Sequence, residues 1–144
     1  VKSEYHRTFL AIDYGKRRIG LAKSDPLGII ATPLGTIEVT SRNDAARKVL
    51  TVIDKVEPNA LIIGYPVLAS GDRSPMCDEI DKFLAELSRT WSGLLIKVDE
   101  DYSSSEATDL LRSTGKRVGK DKGKVDRMAA VVILRRYLDE HPKN

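Results

Sequence analysis

"FLAIDYGKRRIGLAKSD", residues 9–25, sets the frame for the rest of the chain. The stretch "TFLAI" (8–12) is apolar and suits a buried strand. Asp13 ends that run, and Gly15 follows with three cations, Lys16, Arg17 and Arg18. "RIGLA" (18–22) resumes the apolar pattern after this short glycine-containing turn, so the spacing predicts a β-hairpin. A carboxylate at the mouth of a strand, with a turn and positive charge beside it, asks for a chemical reason.

Beyond the hairpin, "GIIATPLGTIEV" (28–39) reads as a third strand. Pro33 has no ladder N–H to give, so an edge position or a bulge is expected near Pro33 and Gly35. The period then changes. From Asp44 onward, Ala46, Val49, Leu50, Ile53 and Val56 recur at helical spacing, and Ser41 stands where an N-cap belongs. "NALIIG" (59–64) is a short buried strand and "YPVLASGDRS" (65–74) a loop. A second helix is expected from Ser74-Pro75, a good cap and first-turn pair, with Met76, Ile80, Phe83, Leu84 and Leu87 as its core stripe. "GLLIKV" (93–98) is the last strand, with "DED" (99–101) at its carboxyl end. Ser103 and Glu106 make a capping box for a third helix that stops at Gly115. "GKRVGKDKGK" (115–124) is rich in glycine and lysine and reads as a mobile loop. The final helix, about 125–140, is apolar nearly all round from Met128 to Leu134 and should be wedged against the sheet. A three-stranded meander feeding βαβ units predicts an α/β fold: a mixed five-stranded sheet with helices on both faces. Residues 1–144 read as a single domain, without repeat or linker.

Composition narrows the chemistry. The chain is 41% hydrophobic and 31% charged, a globular balance. One cysteine, Cys77, excludes an internal disulfide framework and a multi-cysteine zinc site. It has no local partner in the sequence and is given no role. With only His6 and His141 besides, metal binding through nitrogen and sulfur is disfavoured. "VKSEYHRTFLA" lacks the features of a signal peptide, and no run is long enough to span a membrane, so a cytoplasmic protein is expected. The net charge of +3 is unevenly spread. Residues 13–23 hold four cations against one anion and residues 112–127 hold seven against two, leaving the remainder acidic on balance. Two basic segments on an acidic body suggest a polyanion partner on one face, although solvated loops also collect lysine. Trp91, Tyr14 and Tyr102 are expected to pack rather than to stack on bases.

Three acidic spots fall where this topology could bring them together. Asp13 follows the first strand, Asp99-Glu100 follow the last, and Asp126 sits with Ala129, Ala130 and Ile133 on an inward helical stripe. Gathered carboxylates need a cation, and oxygen ligands suit Mg²⁺ or Mn²⁺. Two such ions roughly 4 Å apart can activate water and steady a leaving oxygen in phosphodiester cleavage. Neighbouring lysines and arginines would hold the phosphate backbone. Each acid also has a plainer explanation: Asp13 as a turn residue, Asp126 as an N-cap, and residues 99–101 as a solvated cluster.

"AIDYGKRRIGLAKSDPLG" resembles the first motif of the YqgF family, bacterial pre-16S rRNA nucleases also described as Holliday-junction-resolvase-like. "LIIGYP" followed by Gly71, "VDED" followed by Ser103-Ser104, and "KVDRMAAVVILRRYLD" resemble its second, third and C-terminal motifs. The likeness runs from about residue 8 to residue 139. It implies an RNase H-like fold and metal-dependent hydrolysis of RNA in 5′-end maturation of 16S rRNA. Carried over by position, the catalytic and metal-binding acids are Asp13, Glu100 and Asp126, with Asp99 in reserve. Consecutive strand residues point to opposite faces, so one of Asp99 and Glu100 faces the site. The cofactor implied is Mg²⁺ or Mn²⁺. The nucleic-acid contacts expected are Lys16, Arg17, Arg18, Lys116, Arg117, Lys120, Lys122 and Lys124. The implied partners are pre-16S rRNA or structured DNA, with ribosomal precursor particles as the setting, no membrane, and a monomer or weak homodimer. The chain departs from the family pattern in Asp101, where an arginine is usual, and in Leu68 and Ser70, where Asn and Asp are frequent. A resolvase acting on branched DNA and a non-catalytic RNA-binding assembly factor are the rival readings. An ATP-using member of the actin-like group is disfavoured by the single short domain and the lack of a phosphate-cradling glycine loop.

Overall fold

Uninterrupted apolar runs become the centre of the sheet. In the computed structural model, which describes residues 8–67, 70, 72–99 and 122–141, strands β1 (Phe9–Tyr14) and β4 (Ala60–Tyr65) lie side by side in parallel. Strand β2 (Arg18–Ser24) joins β1 antiparallel, and β3 (Ala31–Glu38) joins β2 antiparallel at one edge. Strand β5 (Leu94–Asp99) pairs parallel with β4 at the other edge, giving the order β3-β2-β1-β4-β5. The mixed five-stranded sheet is the one expected. Pro33 and Gly35 do lie on an edge strand, and the ladder slips there: Leu21 pairs with Gly35 and Ala22 with Pro33, leaving Leu34 as the extra residue. The tight β1–β2 turn needs glycine at position 15, where a Cβ would come within 2.6 Å of the Arg18 carbonyl oxygen.

Period-two burial separates two cores. Leu10, Ile12, Ile19, Leu21, Leu61 and Ile63 face helices α1 (Arg42–Val56) and α2 (Pro75–Leu87). Phe9, Ala11, Ala22, Ile62 and Val98 face helix α3 (Lys122–Glu140) on the other side. Helices thus cover both faces, as expected. Tyr14 and Trp91 pack with the first core, Tyr14 against Phe83 at 4.6 Å between ring centroids. Burial pushes the Tyr14 phenol above its ordinary pKa.

The α1 start follows its sequence signal: the Asp44 amide donates to Ser41 Oγ at 3.0 Å, and Asp44 Oδ2 accepts from the Thr40 amide at 3.0 Å. The α2 start does not. Ser74 occupies the N-cap position without capping; its hydroxyl donates instead to the Pro66 carbonyl at 2.8 Å. The Cys77 thiol donates to that same carbonyl at 2.8 Å, so Cys77 does have a local partner, contrary to the sequence reading. The two side chains pull the β4–α2 loop onto its helix. The helix expected over residues 103–115 lies outside the described residues.

Helix α3 begins at Lys122, three residues earlier than expected, so Lys122 and Lys124 are helical rather than part of a loop. Ala129 to Leu134 are all buried, as an all-round apolar segment requires. Its first turns press directly on β2. A Cβ on Gly20 would fall 1.9 Å from the Asp126 carbonyl oxygen and 2.8 Å from the Arg127 nitrogen. Only a residue without a side chain admits the helix backbone there. No helix among the described residues is long and apolar enough to cross a membrane.

Gly20→Ala should therefore destabilise the protein by about 3 kcal/mol or more in urea denaturation, because the clash is with main chain and no rotamer relieves it. A loss under about 1 kcal/mol would mean that α3 does not sit so close.

Candidate active site

Asp13 lies inside β1, not in the turn that follows, which removes the turn-residue explanation. Alternation puts it on the face of Phe9 and Ala11, beneath α3, and it is only partly exposed. Its cross-strand partner is Gly20. The Asp126 backbone rests on that same glycine. Asp126 is one turn inside α3 and so is not an N-cap. Two acids far apart in sequence are thus brought to neighbouring places by one close contact between a helix and a strand.

The cations flank them. Lys16 and Arg17 are exposed in the β1–β2 turn. Arg18, on the α3 face of β2, does not project into solvent alone: its Nε donates to Asp126 Oδ2 at 2.7 Å. Arg127 Nη1 donates to Thr36 Oγ1 at 3.2 Å and ties the same end of α3 to β3. Neither Gly20, Thr36 nor Arg127 was singled out in the sequence. A glycine in mid-strand is a signal of close backbone approach, and that signal was present at position 20; the Arg127–Thr36 contact had no local signal. Lys124 lies in the first turn of α3, partly buried. Glu100, Lys116, Arg117 and Lys120 lie outside the described residues, as does the side chain of Lys122.

Asp99 ends β5 opposite Tyr65, on the face shared with Leu95 and Lys97, and is exposed. That is the α2 face, not the face of Asp13. The reserve carboxylate is thus turned from the site. What organises its neighbourhood is a polar network on the loop after β4. The Tyr65 hydroxyl donates to Asp81 Oδ2 at 2.9 Å and accepts from Arg73 Nε at 3.1 Å. Lys97 Nζ donates to Asp81 Oδ1 at 2.8 Å, and Arg73 Nη2 to Asp81 Oδ2 at 2.7 Å.

Asp13 and Asp126 both carry carboxylates, whose oxygens are the donor type that suits a hard divalent cation. Among the described residues, no three His, Cys, Asp or Glu side chains gather as a metal-holding group. Asp13 and Asp126 supply two acids, and the third acid expected, Glu100, lies outside.

Known proteins resemble this chain throughout its length. The family model described as "RuvX: Holliday junction resolvase" matches residues 7–140. A protein of Chlorobaculum tepidum named "Putative pre-16S rRNA nuclease" is 37% identical over 98% of this chain and 99% of its own length. One of Clavibacter sepedonicus with the same name is 37% identical over 90% of this chain and 81% of its own length. Among solved structures, Thermus thermophilus RuvC in complex with a Holliday junction substrate aligns with a TM-score of 0.59 at 13% identity, covering 95% of this chain and 97% of that one. The fowlpox virus resolvase with Holliday junction DNA aligns at 0.61 and 12% identity, covering 94% and 99%. At such identities the two structures speak for the fold, the RNase H-like arrangement of the resolvases, and for nothing finer.

The Asp81 network yields a pH test. Burial works to raise the Asp81 pKa, but Lys97, Tyr65 and Arg73 outweigh it and hold the carboxyl below the usual range. A depressed pKa gives stability that is present at neutral pH and lost as pH falls through the lowered value. Protection of the backbone amides of Tyr65, Val67, Asp72, Arg73 and Ser74, taken relative to the intrinsic exchange rate at each pH, should fall in that acid window, and Asp81→Asn should show the same loss of protection at neutral pH.

Proposed function

The chain belongs to the RuvX family of Holliday junction resolvases, and from that membership we propose a metal-dependent nuclease that hydrolyses phosphodiester bonds of RNA in 5′-end maturation of pre-16S rRNA. The observation that carries the reading is the convergence of Asp13 and Asp126 at Gly20, beside the exposed cations Lys16 and Arg17. The name shared by relatives matched over nearly the full chain supports the RNA substrate.

In this reading Asp13, Glu100 and Asp126 hold Mg²⁺ or Mn²⁺. Glu100 is chosen over Asp99 because Asp99 stands on the α2 face. The ion, when bound, supplies Lewis acidity at the phosphate and a nucleophile at neutral pH. The chain's own part is positioning. Lys16 and Arg17 bind phosphates from the turn, and Lys116, Arg117, Lys120, Lys122 and Lys124 add further phosphate contacts. The Gly20 contact keeps the Asp126 backbone level with Asp13. We place the protein in the cytoplasm, as a single-domain monomer or weak homodimer that meets its substrate on ribosomal precursor particles. The description of the matching family, Holliday junction resolvase, supports a second reading, cleavage of branched DNA.

The deciding experiment is cleavage of end-labelled single-stranded RNA, duplex RNA and four-way DNA junctions, with Mg²⁺, with Mn²⁺ and with chelator. Metal-dependent cutting of RNA should vanish in Asp13→Ala while the thermal melt is retained. Wild-type rates in that variant would end the assignment of Asp13. Cutting confined to junctions would transfer the function to the resolvase reading, and metal-independent binding without cutting would favour an assembly factor. Replacing Lys16 and Arg17 together by alanine should weaken binding to single-stranded RNA and flatten its log–log salt dependence by about 1.4, at about 0.7 per phosphate contact.

A further inference from the structure

The ion pair between Arg18 and Asp126 joins a side chain expected on phosphate to one expected on metal. It is a single-point contact, Nε to Oδ2 at 2.7 Å. Among the described residues Arg18 Nη1 and Nη2 make no hydrogen bond, and neither does Asp126 Oδ1. The pair is open to exchange, with side chains 34% and 21% exposed. It is also not what holds the helix down: the Gly20 contact and the Arg127–Thr36 hydrogen bond fix α3 without it. A guanidinium binds most strongly through a two-pronged fork, and a carboxylate held through Nε alone leaves the Nη pair unused. A phosphodiester offers two oxygens to such a fork.

We propose that Arg18 is a positioning residue that couples metal loading to substrate loading. Without nucleic acid, it neutralises Asp126 and repels an incoming divalent ion. Arginine cannot shed its proton to relieve that repulsion, so it must move. A phosphate supplies the place to move to, draws the guanidinium off, and leaves the Asp126 carboxylate for the ion. Asp126 would then hold the ion with substrate in place, and by reciprocity the loaded site would bind substrate more tightly by the same factor. This inference rests on the reading of Asp126 as a metal ligand.

Mn²⁺ binding, followed by the electron paramagnetic resonance signal of the free ion, tests it without any cleavage. The probe for substrate is a hydrolysis-resistant 2′-O-methyl oligoribonucleotide. Without oligonucleotide, Arg18→Gln should bind Mn²⁺ about tenfold more tightly than wild type, and Arg18→Lys, which keeps the charge, should stay within about twofold. The oligonucleotide should tighten Mn²⁺ binding to wild type by about tenfold and leave Arg18→Gln within about twofold. Arg18→Met is a second neutral variant should the glutamine not fold. Equal or weaker Mn²⁺ binding in the neutral variants, or equal tightening of both proteins by the oligonucleotide, overturns the coupling. Asp126→Asn in the Arg18→Gln background separates the two levels. If it leaves Mn²⁺ affinity unchanged, Asp126 is no ligand and the underlying site assignment fails; if it weakens Mn²⁺ while the Arg18 variants match wild type, only the coupling fails.

Discussion

The contact on which the rest of the site depends is the seating of α3 on Gly20. There the main chain of a helix meets the main chain of a strand, with the Asp126 carbonyl where a side chain would otherwise stand. Dense packing makes such a contact unforgiving, since neither partner can swing aside. Everything near it inherits its precision. Asp13 is the cross-strand neighbour of Gly20, Arg18 lies two residues before it, and Thr36 pairs with it on the other side. The apolar run Ala129–Leu134 continues the same helix into the second core and clamps that end of the site.

Around this seat the electrostatics are arranged in tiers. Asp126 has its charge matched by Arg18, held on the strand below. Lys16 and Arg17, one turn away, face solvent. The opposite face of the sheet carries its own polar cluster, where Asp81 gathers Lys97, Arg73 and the Tyr65 hydroxyl. The two clusters serve different ends. The second ties the β4–α2 loop and the last strand together, and the first sets two acids beside cations on the α3 face of the sheet.

Much of this was legible in the chain. The strands follow from apolar runs of the right length, α1 from its period and its Ser41 cap, and the edge position of β3 from Pro33. Local chemistry decides those elements, so local sequence reports them. The readings that failed depended on partners elsewhere. Ser74 looks like a cap, but the Pro66 carbonyl competes for its hydroxyl and wins; Cys77 looks partnerless until the loop folds back. Asp126 suits an N-cap only if α3 starts late, and it starts at Lys122.

By itself the sequence determined the order of the described elements, the alternation that assigns each strand residue to a face, and the acids and cations that motifs mark out. These are properties of neighbours along the chain, carried by periodicity and turn chemistry. The tertiary structure alone decided which of them meet. It turned Asp99 toward α2, set Asp13 beside the glycine that receives α3, and joined Arg18 to Asp126 across the fold. Such pairings come from the crossing of a helix over a sheet, and no periodicity within either element records where that crossing falls.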